Sequence, residues 1–219
     1  LWDVEVSVSP ASCPVTIPAL EIRKLLVKRG KKTVLQNVNF SADYGDILGI
    51  MGENGIGKTT LARTVCGLMK EKAGDIYFGG QRMKLPMRKE FAFLVMQDPN
   101  YQLFSDSVAG EMALTASGEI PNSKDVQRIL SSLELASVQD RHPLSLSGGQ
   151  KQRLCVALAA LSPAQILFFD EPTSGLDFEN MNRVAKMLKE LSKEKTIIVI
   201  SHDNEFLNLA CTRIISLSR

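Results

Sequence analysis

Residues 34–40, Val34-Leu35-Gln36-Asn37-Val38-Asn39-Phe40, partly alternate apolar with polar side chains, as a strand buried on one face does. They lie in the second of two β-type stretches, 20–27 and 33–41. Farther along, the pattern changes. Residues 47–51, 91–96, 166–169, 196–200 and 214–217 form short, nearly continuous apolar runs, the form taken by strands covered on both faces of a parallel sheet. Helical spacing follows several of them. Met181, Val184, Ala185, Leu188 and Leu191 make one stripe over 178–192, and Val126, Ile129, Leu130 and Leu133 make another over 124–135. The stretch of about 105–147 has no buried-strand run and reads as a helical insertion in an α/β core. No internal repeat or low-complexity tract interrupts the pattern.

Composition narrows the class. The chain has 219 residues, 44% of them hydrophobic and 23% charged, as in a globular domain with one sizeable core. A net charge of +2 provides no electrostatic argument for nucleic acid or anionic lipid, and no nucleic-acid partner is expected. The apolar runs are far too short to cross a bilayer. Cys13, Cys66, Cys155 and Cys211 show neither close pairing nor metal-ligand spacing, so buried thiols are expected rather than disulfides or a metal site. Residues 1–18, with three prolines and no clear period, read as a linker or the tail of a preceding domain, and 19–219 as one domain.

Gly52-Glu53-Asn54-Gly55-Ile56-Gly57-Lys58-Thr59 fits G-x-x-x-x-G-K-[ST] directly after an apolar strand and before a helical pattern, the context this motif requires. Gly52, Gly55 and Gly57 allow the backbone, with Asn54, to wrap phosphate oxygens and present N–H groups to them. The helix that starts near Lys58 turns its positive dipole end toward the same anion. Lys58 then reaches the β- and γ-phosphates, Thr59 ligates Mg²⁺ through its hydroxyl, and Thr60 touches the α-phosphate. At the end of the strand at 166–169 stand two acids, Asp170 and Glu171. Buried carboxylates are costly without a cation or polar partners, and the carboxyl end of a parallel strand faces the ligand crevice. Asp170 suits Mg²⁺, and Glu171 suits the general base that polarises the attacking water.

Leu146-Ser147-Gly148-Gly149-Gln150 is the most specific string in the chain, and with Lys151-Gln152-Arg153 it resembles the signature loop of ABC-type ATPases. Ser147 is a suitable helix N-cap, and the glycines expose backbone N–H groups. In that family Ser147, Gly148, Gly149 and Gln150 would contact the γ-phosphate held by a partner's phosphate loop, so that two domains close around two ATP molecules. Gln97 resembles the glutamine that touches Mg²⁺ and water and links to the membrane subunit. Ser174-Gly175-Leu176-Asp177 resembles the loop that signals across the dimer, and His202 the histidine that contacts the γ-phosphate and orients Glu171. His142 reads as a surface residue. The resemblance covers about 19–219 and implies a P-loop α/β core with a mainly parallel sheet, an N-terminal antiparallel β subdomain and the helical insertion. It also implies ATP and Mg²⁺ as ligands. One departure stands out: the family usually stacks an aromatic residue on adenine, and 21–32 contain none. Val27, Lys28 and Arg29 are the candidates to replace it, an arginine being able to stack through its guanidinium plane.

Gln97-Asp98-Pro99-Asn100-Tyr101-Gln102-Leu103-Phe104, followed by Ser107-Val108, looks like the glutamine-loop region of energy-coupling factor transporters, which import micronutrients such as vitamins or metal ions. That resemblance implies a transport ATPase held peripherally at the cytoplasmic face of the membrane. Its partners would be a transmembrane coupling subunit and a second ATPase domain, as a homodimer, a heterodimer or a tandem chain. The start at Leu1 and the linker-like opening suggest the second half of a tandem protein, and any dimerising tail would lie past residue 219. The alternative is a non-transport ABC ATPase acting in translation or DNA repair; those usually carry large insertions, basic patches or zinc-binding cysteines.

Overall fold

Strand alternation divides the apolar residues between two cores. Leu167, Phe169, Ile197 and Val199 belong to one, and Ile166, Phe168, Ile198 and Ile200 to the other, all of them buried. Neighbouring side chains on a strand point to opposite faces, so a run that is apolar at every position serves a sheet covered on both sides. The computed structural model describes residues 4–6, 17–115 and 123–218.

The chain begins with strands Val4–Val6 (β1), Leu20–Arg29 (β2), Lys32–Ala42 (β3) and Ile47–Met51 (β4), then helix Lys58–Val65 (α1). Strands Ala73–Phe78 (β5) and Gln81–Arg82 (β6), helix Leu85–Phe91 (α2) and strand Ala92–Val95 (β7) follow. Helices Val108–Thr115 (α3), Ser123–Ser132 (α4) and Gly148–Leu161 (α5) come next. Strand Ile166–Asp170 (β8), helix Phe178–Leu191 (α6), strand Thr196–Ile200 (β9), helix Asn204–Ala210 (α7) and strand Arg213–Leu217 (β10) complete the chain.

The larger sheet has the order β1-β10-β4-β9-β8-β7, and every pair in it is parallel except β1 with β10. The smaller sheet, β3-β2-β5-β6, is antiparallel throughout. Helix α1 and the smaller sheet share one core with the larger sheet, through Leu25, Val38, Leu61 and Val65. Helices α3 to α7 bury the other face, through residues such as Met112, Leu130, Leu154, Val184 and Phe206. The expected α/β class, antiparallel subdomain and helical insertion are therefore all present. The segment 116–122 of that insertion lies outside the described residues.

Several local expectations change. The stretch expected as a linker supplies an edge strand: β1 pairs Val4 with Leu217 and Val6 with Ile215. Residues 7–16, Cys13 among them, lie outside the described residues. The β2–β3 hairpin runs farther than its apolar alternation, pairing Arg29 with Lys32 around Gly30, whose φ is +59°. Strands β5 and β6 and helix α2 have no strong periodicity of their own. They are anchored instead by Arg88, whose buried guanidinium donates to Glu71, to the carbonyl of Met83 and to that of Thr64. Cys66 and Cys155 are free and buried, and burial pushes the Cys155 thiol up to about 12.

Candidate nucleotide site

Four parallel neighbours, β4, β9, β8 and β7, all end at the same edge of the larger sheet, so the residues that follow them converge. The phosphate-loop motif follows β4, His202 follows β9, Asp170 and Glu171 close β8, and Gln97 follows β7. Together they line a cavity of about 550 Å³, with Asn54, Gly55, Gly57, Lys58, Thr59 and Thr60 on one side and Arg29, Lys32, Thr33 and Val34 of the hairpin on another.

The loop is built for close approach. Gly57 has a φ of +117°, and a Cβ there would come within 2.8 Å of Leu35 Cδ2 and 3.1 Å of Val34 Cγ1. A side chain is excluded at that position by both conformation and space. Lys58 is buried and bends back, its Nζ donating to the carbonyls of Gly52 at 2.6 Å and Glu53 at 3.2 Å. The ammonium is thus held over the loop that would enclose the phosphates. Helix α1 has no side-chain N-cap bond and no acid in its first turn, which leaves its N-terminal N–H groups to an incoming anion.

Asp170 is buried, and burial holds its carboxyl above the ordinary carboxylate range, partly opposed by a hydrogen bond from Thr59. A desolvated carboxylate beside a hydroxyl favours a hard cation, and Mg²⁺ takes few protein ligands when phosphate and water supply the rest. The oxygen donors of Thr59, Asp170 and Gln97, all on the cavity wall, fit that demand. Among the described residues no cluster of His, Cys, Asp and Glu forms a separate all-protein metal cage.

Glu171 is held from every side. Its φ of +52° lies in the left-handed region, which costs a non-glycine residue about 1–3 kcal/mol and occurs mainly where a site demands it. Its N–H donates to the Ile200 carbonyl at 2.8 Å, and its own carbonyl accepts from Gln152 Nε2 at 3.3 Å. Ser201 Oγ donates to Oε2 at 3.0 Å, and His202 Nδ1 lies 2.8 Å from Oε1. The hydrogen bond to Glu171 raises the His202 pKa above its ordinary value.

Ser147, Gly148, Gly149 and Gln150 do not line this cavity. They form the N-terminus of α5, where Ser147 and Gln150 make a reciprocal capping box at 3.3 and 3.0 Å. His142 is exposed and caps a short turn by accepting from Leu144 N–H. Of the candidates to replace the aromatic residue, Arg29 lines the cavity, whereas Val27 is buried in the core and Lys28 is absent from the wall. Ser201 and Gln152 are additions to the sequence reading. Ser201 had a signal in its place beside His202 at a strand end; Gln152 was noted only as part of the run after the signature loop, and its contact with Glu171 had no sequence signal.

A strand–loop–helix phosphate cradle facing strand-end acids defines a P-loop nucleotide-binding domain. Residues 35–174 match the family model described as ABC transporter, and the chain belongs to that family. A Treponema denticola protein, provisionally described as an ABC transporter ATP-binding protein, is 48% identical over 198 residues, covering 90% of this chain and 40% of that protein. A Bacillus subtilis protein provisionally named as the HMP/thiamine import ATP-binding protein YkoD is 31% identical over 194 residues, covering 86% and 35%. The structure of CbiO1 from Clostridium perfringens, part of the ABC transporter complex CbiONQ, aligns with a TM-score of 0.80 at 29% identity, covering 92% of this chain and 85% of that one. The chain spans about two fifths of the length of the two Treponema relatives, at 40% and 39%.

Proposed function

We propose that this domain hydrolyses ATP with Mg²⁺ to drive a membrane importer of the energy-coupling factor kind. The observation that carries it is the gathering of Lys58, Thr59, Asp170, Glu171, His202 and Gln97 around one cavity. Lys58 and the N–H groups of 52–60 bind the triphosphate. Thr59, Asp170 and Gln97 hold Mg²⁺, which when bound neutralises phosphate charge. Glu171 takes the proton of a water aligned with the γ-phosphate, and His202, at 2.8 Å, orients that carboxylate. The Ser201 hydroxyl fixes the other carboxylate oxygen, so the base keeps one geometry through the attack.

Ser147–Gln150 lie off their own cavity at a helix N-terminus, as a loop completing a second domain's site would. Loss of the γ-phosphate would remove the charge that joins two such domains and let them open. The link to a membrane subunit rests on the segment after Gln97. Phe93, Met96, Tyr101, Phe104 and Leu158 line a groove of about 280 Å³, and the Tyr101 and Phe104 side chains are 70% and 80% exposed. That loop is braced: Gln102 bonds across to Met96 N–H and the Leu94 carbonyl, both at 2.6 Å, and Lys151 of α5 donates to Asn100 at 2.9 Å. An exposed aromatic pair on a rigid loop suits an apolar partner segment. No helix among the described residues is long and apolar enough to cross a membrane. In the proposed assembly a transmembrane coupling subunit provides the translocation path and this domain sits at the cytoplasmic face. Similarity to CbiO1 and to a protein named for thiamine import supports import of a micronutrient.

The test is purification of the protein from detergent-solubilised native membranes, with mass spectrometry of what accompanies it. A shared membrane coupling protein plus small, varied membrane proteins is the expected result. Ribosomal or repair proteins without a membrane subunit would leave the ATPase chemistry standing and overturn the transport role.

A further inference from the structure

The cavity wall formed by the β2–β3 hairpin has an unusual composition. The tip of the β2–β3 hairpin reads Lys28-Arg29-Gly30-Lys31-Lys32, and these four cations are exposed with no acidic partner among the described residues. Two of them, Arg29 and Lys32, line the cavity together with Thr33 and Val34. That wall contains no aromatic ring, no carboxylate and no amide side chain; Thr33 Oγ is its one side-chain acceptor. The hairpin is also positioned firmly. Val34 and Leu35 sit directly against Gly57 of the phosphate loop, so the wall keeps its place relative to a bound triphosphate.

A purine held here meets hydrogen-bond donors and a planar cation. A guanidinium that stacks on the base face leaves the edge unread, so the O6 of guanine and the amino group of adenine are not told apart by it. Excluding adenine's rival would require an acceptor or a shaped aromatic slot, and the wall has neither beyond one hydroxyl. We propose that Arg29 is the base-contacting residue and that the site takes GTP as readily as ATP, holding purines over pyrimidines by the larger stacked face. This rests on the nucleotide-binding reading of the same cavity and concerns only its base side.

The test is equilibrium binding of Mg²⁺ complexes of ATP, GTP and CTP, with inorganic tripolyphosphate as a probe lacking a base, to the protein and to Arg29→Ala and Arg29→Lys. ATP and GTP should bind within about threefold of each other and CTP roughly tenfold more weakly, as expected for stacking without edge selection. Arg29→Ala should weaken both purine nucleotides by roughly tenfold and tripolyphosphate little. Arg29→Lys, which keeps the charge and loses the plane, should behave like Arg29→Ala toward purines. A preference for ATP over GTP beyond about thirtyfold would overturn the proposal, since it demands a selective edge contact. So would equal weakening of tripolyphosphate and nucleotides, which makes Arg29 a phosphate counter-charge. Failure of every triphosphate, tripolyphosphate included, to bind the parent protein would overturn the ATPase reading as well; normal tripolyphosphate binding with either of the preceding results overturns this inference alone.

Discussion

His202 Nδ1 lies 2.8 Å from Glu171 Oε1, joining side chains that follow two adjacent parallel strands. The contact favours the protonated imidazole and raises its pKa above the ordinary 6.5. A raised native pKa means that the pairing stabilises the fold fully below about 6.5 and that its contribution is lost as pH climbs through the raised value. An NMR titration should therefore place the His202 midpoint above 6.5 in the parent and nearer to it in Glu171→Gln. Identical midpoints in the two proteins would show that the pair does not form in solution.

Glu171→Gln keeps the shape of the side chain and removes its basicity. Nucleotide binding should persist while turnover falls by about a hundredfold to ten-thousandfold, the range general-base catalysis supplies. Steady-state kinetics with separate binding measurements checks it. Parental turnover would transfer the role of base to another group.

Lys58 places its ammonium between the carbonyls of Gly52 and Glu53. Lys58→Ala removes the loop's only side-chain cation, and ATP affinity should drop by roughly a hundredfold, in line with lost charge-assisted contacts to phosphate. Calorimetry decides: unchanged affinity would refute the phosphate-loop assignment.

Tyr101 and Phe104 stand exposed on a loop whose own hydrogen bonds run through Gln102 and Asn100. Tyr101→Ser with Phe104→Ser should leave ATP binding within about twofold while reducing recovery of membrane partners, as loss of aromatic anchors does at interfaces. Recovery of the same partners at the same yield would move the docking surface elsewhere.

Arg88 is the test of stability away from the site. Its guanidinium is 2% exposed and makes two bonds to Glu71, at 2.8 and 2.7 Å, while also satisfying the Met83 and Thr64 carbonyls. Arg88→Ala should cost about 3 kcal/mol or more, because it strands a carboxylate and two carbonyls. The exposed Lys193–Glu190 pair offers the comparison: Lys193→Ala should change stability by about 0.5 kcal/mol or less. Denaturant melts of the two variants would show the contrast.

The strand runs at 47–51 and 196–200 coincide with β4 and β9 to the residue, because continuous apolarity bounded by polar residues leaves few alternatives. The placement of the phosphate-loop motif, Asp170, Glu171 and His202 at strand ends was legible for a related reason. That placement depends on local spacing after a strand, and local spacing is written in the chain. Helix α2 and strand β5 were not legible. Their stability comes from Arg88 and Glu71, seventeen positions apart, and from pairing with β2, which periodicity does not report. The edge strand β1 exists only by pairing with β10 at the far end of the chain.

Sequence by itself thus determined the α/β class, the phosphate cradle, the strand-end acids and the helix cap at Ser147, each set by neighbours within a few residues. Tertiary structure decided the rest. Parallel strand order brought four separate strand ends to one cavity, whose wall includes Arg29 and neither Val27 nor Lys28, and closed Ser201, His202 and Gln152 around Glu171. The reason is that hydrogen bonds and cavity walls depend on distances through space, and residues 29, 97, 171 and 202 become neighbours only when the sheet assembles.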